Sequence, residues 1–170
     1  MKPSRRFLQN LILGLTLALT AGFANAGALT DYAENKLIDW QFRGQAVTPP
    51  ATWYVALYTT CPTDSTAGVE INTGSYARVA VTSSLANWAG TQAAGSTTVS
   101  TGTSGTTSNN NAVTFPAATA DQGTAACFGL LDASTGGNLW YYAALSANRT
   151  ITNGSTASFA AGTLNVQQDN

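Results

Sequence analysis

The spacing of apolar and polar residues changes character several times along the chain. Phe7 to Phe23 is an apolar run without a single charge. From Asp31 to Arg43 the apolar positions recur at helical spacing. Ala33, Leu37 and Trp40 share one face, with Ile38 and Phe42 adjoining it. This predicts one helix, started by Asp31 with Glu34 as the return partner of a capping box, and stopped by Gly44. Pro49-Pro50 then imposes an extended link.

Beyond the prolines the period drops to two. Trp53 to Tyr58 is aromatic and β-branched, and Pro62-Thr63-Asp64 breaks it. In Tyr76 to Thr82, residues Tyr76, Arg78, Ala80 and Thr82 fall on one face of a strand and Ala77, Val79 and Val81 on the other. Ala112 to Phe115 is a short strand ended by Pro116. Cys127 to Leu131 is nearly all apolar, as in a strand buried on both faces. The turn residues Asp132 to Asn138 lead directly into Leu139 to Leu145, which predicts a hairpin. Arg149 to Ile151, Ala157 to Phe159 and Thr163 to Val166 are shorter strands, with turns at Asn153-Gly154 and Gly162. Roughly eight short strands without a βαβ rhythm predict an all-β fold, an antiparallel β-sandwich or jelly-roll-like domain with one N-terminal helix. Residues 89–111 stand apart, with Val99 the one large apolar residue in a Ser/Thr/Gly-rich tract. They form either a loop or hairpin tip, or an uncharged arm that docks on a neighbouring subunit.

Charge changes the picture at the N-terminus first. Lys2, Arg5 and Arg6 precede the apolar run, and Ala24-Asn25-Ala26 follows it. A basic end, an apolar core and a small-x-small site make a secretory signal peptide over residues 1–26, cut after Ala26. The other reading is an uncleaved anchor, for which about 17 apolar residues sit at the short limit of a span. Cleavage leaves residues 27–170 as one domain without a membrane span, exported by a Sec-type route to the cell surface or beyond. Of 170 residues, 7 are basic and 8 acidic, and none is histidine. After cleavage only Lys36, Arg43, Arg78 and Arg149 oppose the eight acids, for a net charge of −4. No charge at all occurs from Val79 to Ala120. Such a chain has no electrostatic footprint for nucleic acid.

Candidate chemistry is sparse. Without histidine the commonest general base and metal ligand are missing. Lys36 is the one lysine after cleavage and sits on a helix surface; Glu70 and Asp121 have no motif joining them. No catalytic residue, metal or cofactor is therefore expected. Asp132 with Ser134, Thr135 and Asn138 could offer oxygens to calcium, yet turn chemistry accounts for the same residues. Cys61 and Cys127 are the only cysteines. In an oxidising compartment they pair, closing a 66-residue loop worth about 4 kcal/mol in the chain-entropy model; the alternative is two buried thiols. Trp53, Trp140 and Tyr142 lie on two strands whose alternation sends some aromatics outward. Those rings serve either as core and subunit interface or as a face that stacks on surface glycans. Trp40 and Phe42 on the helix are a second candidate interface.

Three stretches carry a family resemblance. They are LTDYAENKLIDWQFRG at 29–44 with WYVALYTTCP at 53–62, GSYARVAV at 74–81, and NNAVTFPAATADQGTAACFGLLDASTGGNLWYYAAL at 110–145 continuing to NGSTASFAAGTLNV at 153–166. In this order they resemble a family of small bacteriophage tail-fibre-like or virion structural proteins, over nearly all of residues 28–167. The resemblance implies a non-enzymatic β-rich assembly subunit whose partners are copies of itself. It supplies no catalytic residue. The export signal and the cysteine pair depart from that pattern, and together they predict a phage-type fold used in a secreted filament, sheath or appendage. A surface glycan-binding or receptor-binding module is the rival reading.

Overall fold

Three long strands make the floor of the fold. β3 (Thr52–Thr60), β8 (Gly123–Leu131) and β9 (Leu139–Ile151) lie side by side and antiparallel. The computed structural model describes residues 16–18 and 28–168; the expected export signal lies outside the described residues apart from 16–18. Outer strands extend the floor. β2 (Ala28–Leu29) pairs with β9, while β4 (Val69–Glu70) and β5 (Val79–Thr82) share the far edge of β3. Two small sheets cover one face. One joins β10 (Thr156–Phe159) to β7 (Val113–Thr114), and the other joins β11 (Asn165–Gln167) to β6 (Thr106–Ser108). The architecture is thus the expected all-β sandwich. Its one parallel pairing among the described residues is β1 (Thr16–Ala18) along β10.

Register decides which side chains meet. Val55 lies opposite Leu130, and Leu130 opposite Tyr141; Leu57 lies opposite Phe128, and Phe128 opposite Ala143. These residues share the inner face, where they pack with Val113, Phe115, Ala157, Phe159, Leu164 and Val166 from the small sheets. Phe159 is fully buried and meets the rings of Phe128 and Phe115 at 5.6 and 6.4 Å. The opposite face buries Ala56, Tyr58, Cys127 and Leu131. Cys127 is bonded to Cys61 there, with Cα atoms 5.3 Å apart, so the end of β3 is tied to its neighbour β8.

Local chemistry adjusts several expected boundaries. The helix α1 (Asp31–Phe42) begins as anticipated, but Thr30 is its cap, not Asp31. The Thr30 hydroxyl accepts from the Ala33 amide at 3.4 Å and donates to the Leu139 carbonyl at 2.5 Å. A single threonine thus starts the helix and ties it to β9. At the other end Gly44 turns at φ +67, and the amides of Arg43 and Gln45 both reach the Asp39 carbonyl. The strand expected from Tyr76 begins only at Val79, because Tyr76 spends its hydroxyl on the Leu57 amide, 2.8 Å away. Arg149 to Ile151 is the far end of β9 and not a separate strand. The hairpin at 132–138 is present, and Gly137 (φ +73) is required in it. A Cβ there would fall 2.5 Å from an Asp132 carboxylate oxygen.

The 89–111 tract lies against the body of the protein. Its last third supplies β6, and side chains hold the rest. Gln92 binds Thr98 and the Thr101 amide, and Ser96 takes the Gly90 amide. Asn109 is completely buried. It donates to the Asn111 and Ala160 carbonyls and accepts from the Leu164 amide, each at 2.8 Å.

Candidate functional site

Two surfaces and three polar clusters hold the residues of interest. The first surface is the outer end of α1. Ala33, in the first turn, is the helix's one buried residue. Tyr32 beside it stands edge-on to Trp140 at 5.3 Å. The apolar stripe expected to bury Trp40 therefore loses its cover progressively, from buried Ala33 through half-buried Leu37 to exposed Trp40. Ile38 is 49% exposed, Trp40 56% and Phe42 80%. Ile38 and Phe42, one turn apart, share one side of the helix and Trp40 takes the other, while Leu37 between them stays half-buried.

The second surface is a cavity of about 700 Å³ between the inner face and the loops around residues 83–91 and 100–107. Trp53, Trp88 and Tyr141 supply rings to its wall; Ser84, Thr91 and Gln168 supply hydroxyl and amide groups. Trp53 reaches it from β3 because the inner-face register brings it beside Tyr141, with centroids 5.9 Å apart. Gln168 donates to the Tyr141 hydroxyl at 2.7 Å. Burial raises the Tyr141 pKa against the opposing effect of that bond, so the phenol stays neutral.

Of the aromatics anticipated on the strands, Trp53 lines this cavity and Trp140 does not. A register shift between Leu130 and Leu131 sets Trp140 beside Tyr141 in the core. There it packs edge-on against Trp53 at 5.7 Å and donates its indole N–H to Asp132 at 3.2 Å. Tyr142 is half-buried on the outer face, next to Ala28 in the register. Trp88 was not anticipated. It sits after Ser83-Ser84-Leu85-Ala86-Asn87, which shows neither helical nor strand periodicity.

The polar clusters are structural in character. Arg78 grips Glu70 through two contacts of 2.8 and 2.7 Å and donates to the carbonyls of Ala133 and Gly136, both at 2.7 Å. The Glu70 hydrogen bond, against some desolvation, raises the Arg78 pKa further. Burial pushes the nearby Tyr58 phenol up to about 12, helped by the Glu70 charge. Asp132 accepts from the Asn138 amide at 2.7 Å, the Asn138 side chain at 2.9 Å and Trp140. Partial burial opposes its ionisation, but these hydrogen bonds prevail and lower its pKa. The loop considered for calcium thus commits its carboxylate to the turn. Asp31, Glu34 and Asp64 cluster with oxygens within 4.8 Å, all exposed, where a helix start favours negative charge.

No described helix is long and apolar enough to cross a membrane. The family model described as Podophage GP4 fiber I protein gp80 matches residues 28–167. No curated protein matches the chain.

Proposed function

Because the chain belongs to the family of podophage GP4 fiber I protein gp80, we propose that it is an exported, non-enzymatic fibre subunit that assembles with copies of itself. The observation that carries this reading is the free end of α1. Exposed apolar groups at Ile38, Trp40 and Phe42 project from a helix that is fully buried only at Ala33 in its first turn. Covering the exposed parts of the two aromatics removes on the order of 300 Å² from water, roughly 7 kcal/mol before association costs. The natural cover is a second subunit, since a fibre needs contacts between copies, and the Asp39 and Arg43 charges beside the aromatics already neutralise each other in an ion pair.

Export draws on separate support. The family match begins at residue 28, just past the small-x-small site ending at Ala26. The Cys61–Cys127 bond suits an oxidising compartment. Removing residues 1–26 also takes Thr16–Ala18 off β10. That leaves a strand edge open to a neighbour, a second route of association.

Electron microscopy and light scattering on the secreted protein test the reading. The expected result is ordered multimers that Trp40→Ala/Phe42→Ala converts to folded monomers with an unchanged circular dichroism spectrum. A native protein that stays monomeric at high concentration ends it.

A further inference from the structure

No residue of α1 lines the 700 Å³ cavity, and assembly through α1 leaves it unexplained. Its volume falls within the roughly 300–1,000 Å³ typical of small-molecule sites. The wall combines two kinds of surface. Trp53, Trp88 and Tyr141 offer aromatic planes, and Ser84, Thr91 and Gln168 offer hydroxyl and amide groups. No Lys, Arg, Asp or Glu lines it, in keeping with the uncharged stretch from Val79 to Ala120 that builds much of the rim. A ligand carrying charge would find no counter-ion there and would lose hydration on entry. A purely apolar ligand would bury the hydroxyl and amide groups without partners.

One ligand class matches both surfaces. A neutral sugar ring has a C–H face that stacks on aromatic planes and a hydroxyl edge that both donates and accepts. Gln168 donates one N–H to the Tyr141 hydroxyl and keeps its carbonyl and second N–H for such an edge. The Trp88 indole N–H is buried without a hydrogen-bond partner. An orphaned donor costs about 1–3 kcal/mol. It is closed to solvent, so a ligand in the cavity does not reach it in this conformation. We propose that the cavity walled by Trp53, Trp88 and Tyr141 binds an uncharged saccharide. This goes beyond the assembly reading and does not depend on it.

The four Trp indole N–H resonances report on the site directly. Isotope-labelled full-length protein is titrated with neutral oligosaccharides (maltotriose, cellotriose, chitotriose and a mixed neutral glycan library) and with acidic ones (trigalacturonate and sialyllactose). The expected result is a saturable shift of Trp53 and Trp88 with at least one neutral saccharide, with Trp40 unmoved and no response to the acidic set. Trp88→Ala should weaken that binding at least tenfold. Gln168→Ala, at an exposed position, should weaken it several-fold without disturbing the fold. The proposal is overturned if no neutral saccharide moves Trp53 and Trp88, if the acidic set binds as well, or if the only shifts are at Trp40. A monomeric protein that still shows the Trp88 response would remove the assembly reading alone.

Discussion

Replacing Arg78 by Met keeps most of the side-chain stem and removes the guanidinium, so it isolates the polar cluster from the packing around it. Side-chain exposure is 10% at Arg78 and 24% at Glu70, which places the pair between a surface and a buried ion pair. Breaking a fully buried pair costs about 3–5 kcal/mol, and an exposed one contributes about 0–1. Four charge-assisted hydrogen bonds are lost. Glu70 keeps the Tyr76 hydroxyl at 3.2 Å and regains some water. The expected loss is therefore about 3 kcal/mol. Glu70→Gln should cost less, about 1–2 kcal/mol, because Arg78 still holds the turn carbonyls of Ala133 and Gly136. The Glu70→Gln/Arg78→Met double variant should cost clearly less than the two single losses combined, since the single variants each strand a charge. Urea unfolding followed by Trp fluorescence, with the disulfide intact, measures all three. A slope of about 1–3 kcal/mol/M turns the Arg78→Met loss into a midpoint shift of one molar or more. A loss below about 1 kcal/mol, or simple additivity, would refute the claim that this pair pins β4 and the 132–138 turn to the sheet.

Removing the disulfide with Cys61→Ala/Cys127→Ala should lower stability by about 4 kcal/mol in the same urea assay, as a 66-residue closure predicts; a change under 1 kcal/mol would discount the staple. Asn109→Ala strips the Leu164 amide and the Asn111 carbonyl of the bonds Asn109 makes to them from a fully buried position, while the Ala160 carbonyl keeps Thr163. It should cost about 3 kcal/mol and raise amide exchange at Leu164 first; uniform exchange across the chain would show that Asn109 does not pin this tract. Tyr58 has a folded pKa near 12, above the ordinary value of about 10. Its contribution is complete below pH 10 and fades as pH rises through 12. Tyr58→Phe should therefore flatten the loss of stability between pH 10 and 12, and an unchanged alkaline limb would place the cause elsewhere.

What the sequence made legible, and what it hid, divides by the kind of interaction. The apolar runs at β3 and β8, the start of β9 and the turn between them are written in side-chain polarity, because burial in a sheet demands it. The helix was equally plain, but not its surroundings. A stripe from Ala33 to Trp40 says which face is apolar, not how much cover the body can reach, and the cover thins from buried Ala33 through half-buried Leu37 to exposed Trp40. The boundaries that moved did so for tertiary reasons. Thr30 outcompetes Asp31 as the cap because its hydroxyl also finds the Leu139 carbonyl, 109 residues away. β9 continues past Leu145 through polar residues because Gly123 to Ala125 supply backbone partners beyond a register shift. The 89–111 tract was hardest to read, since its order rests on Ser, Thr, Asn and Gln bonding to backbone, which leaves no hydrophobic period behind. The same blindness hid the cavity. Trp88 gains its place from the isolated bridge between its own backbone and that of Asn109, and Asn109 is itself held by side-chain amide bonds. A polar lattice, buried at Ser108 and Asn109 and half-buried or exposed elsewhere, fixes the wall and aromatic rings line it, and the absence of charge there leaves none to desolvate where the lattice is buried.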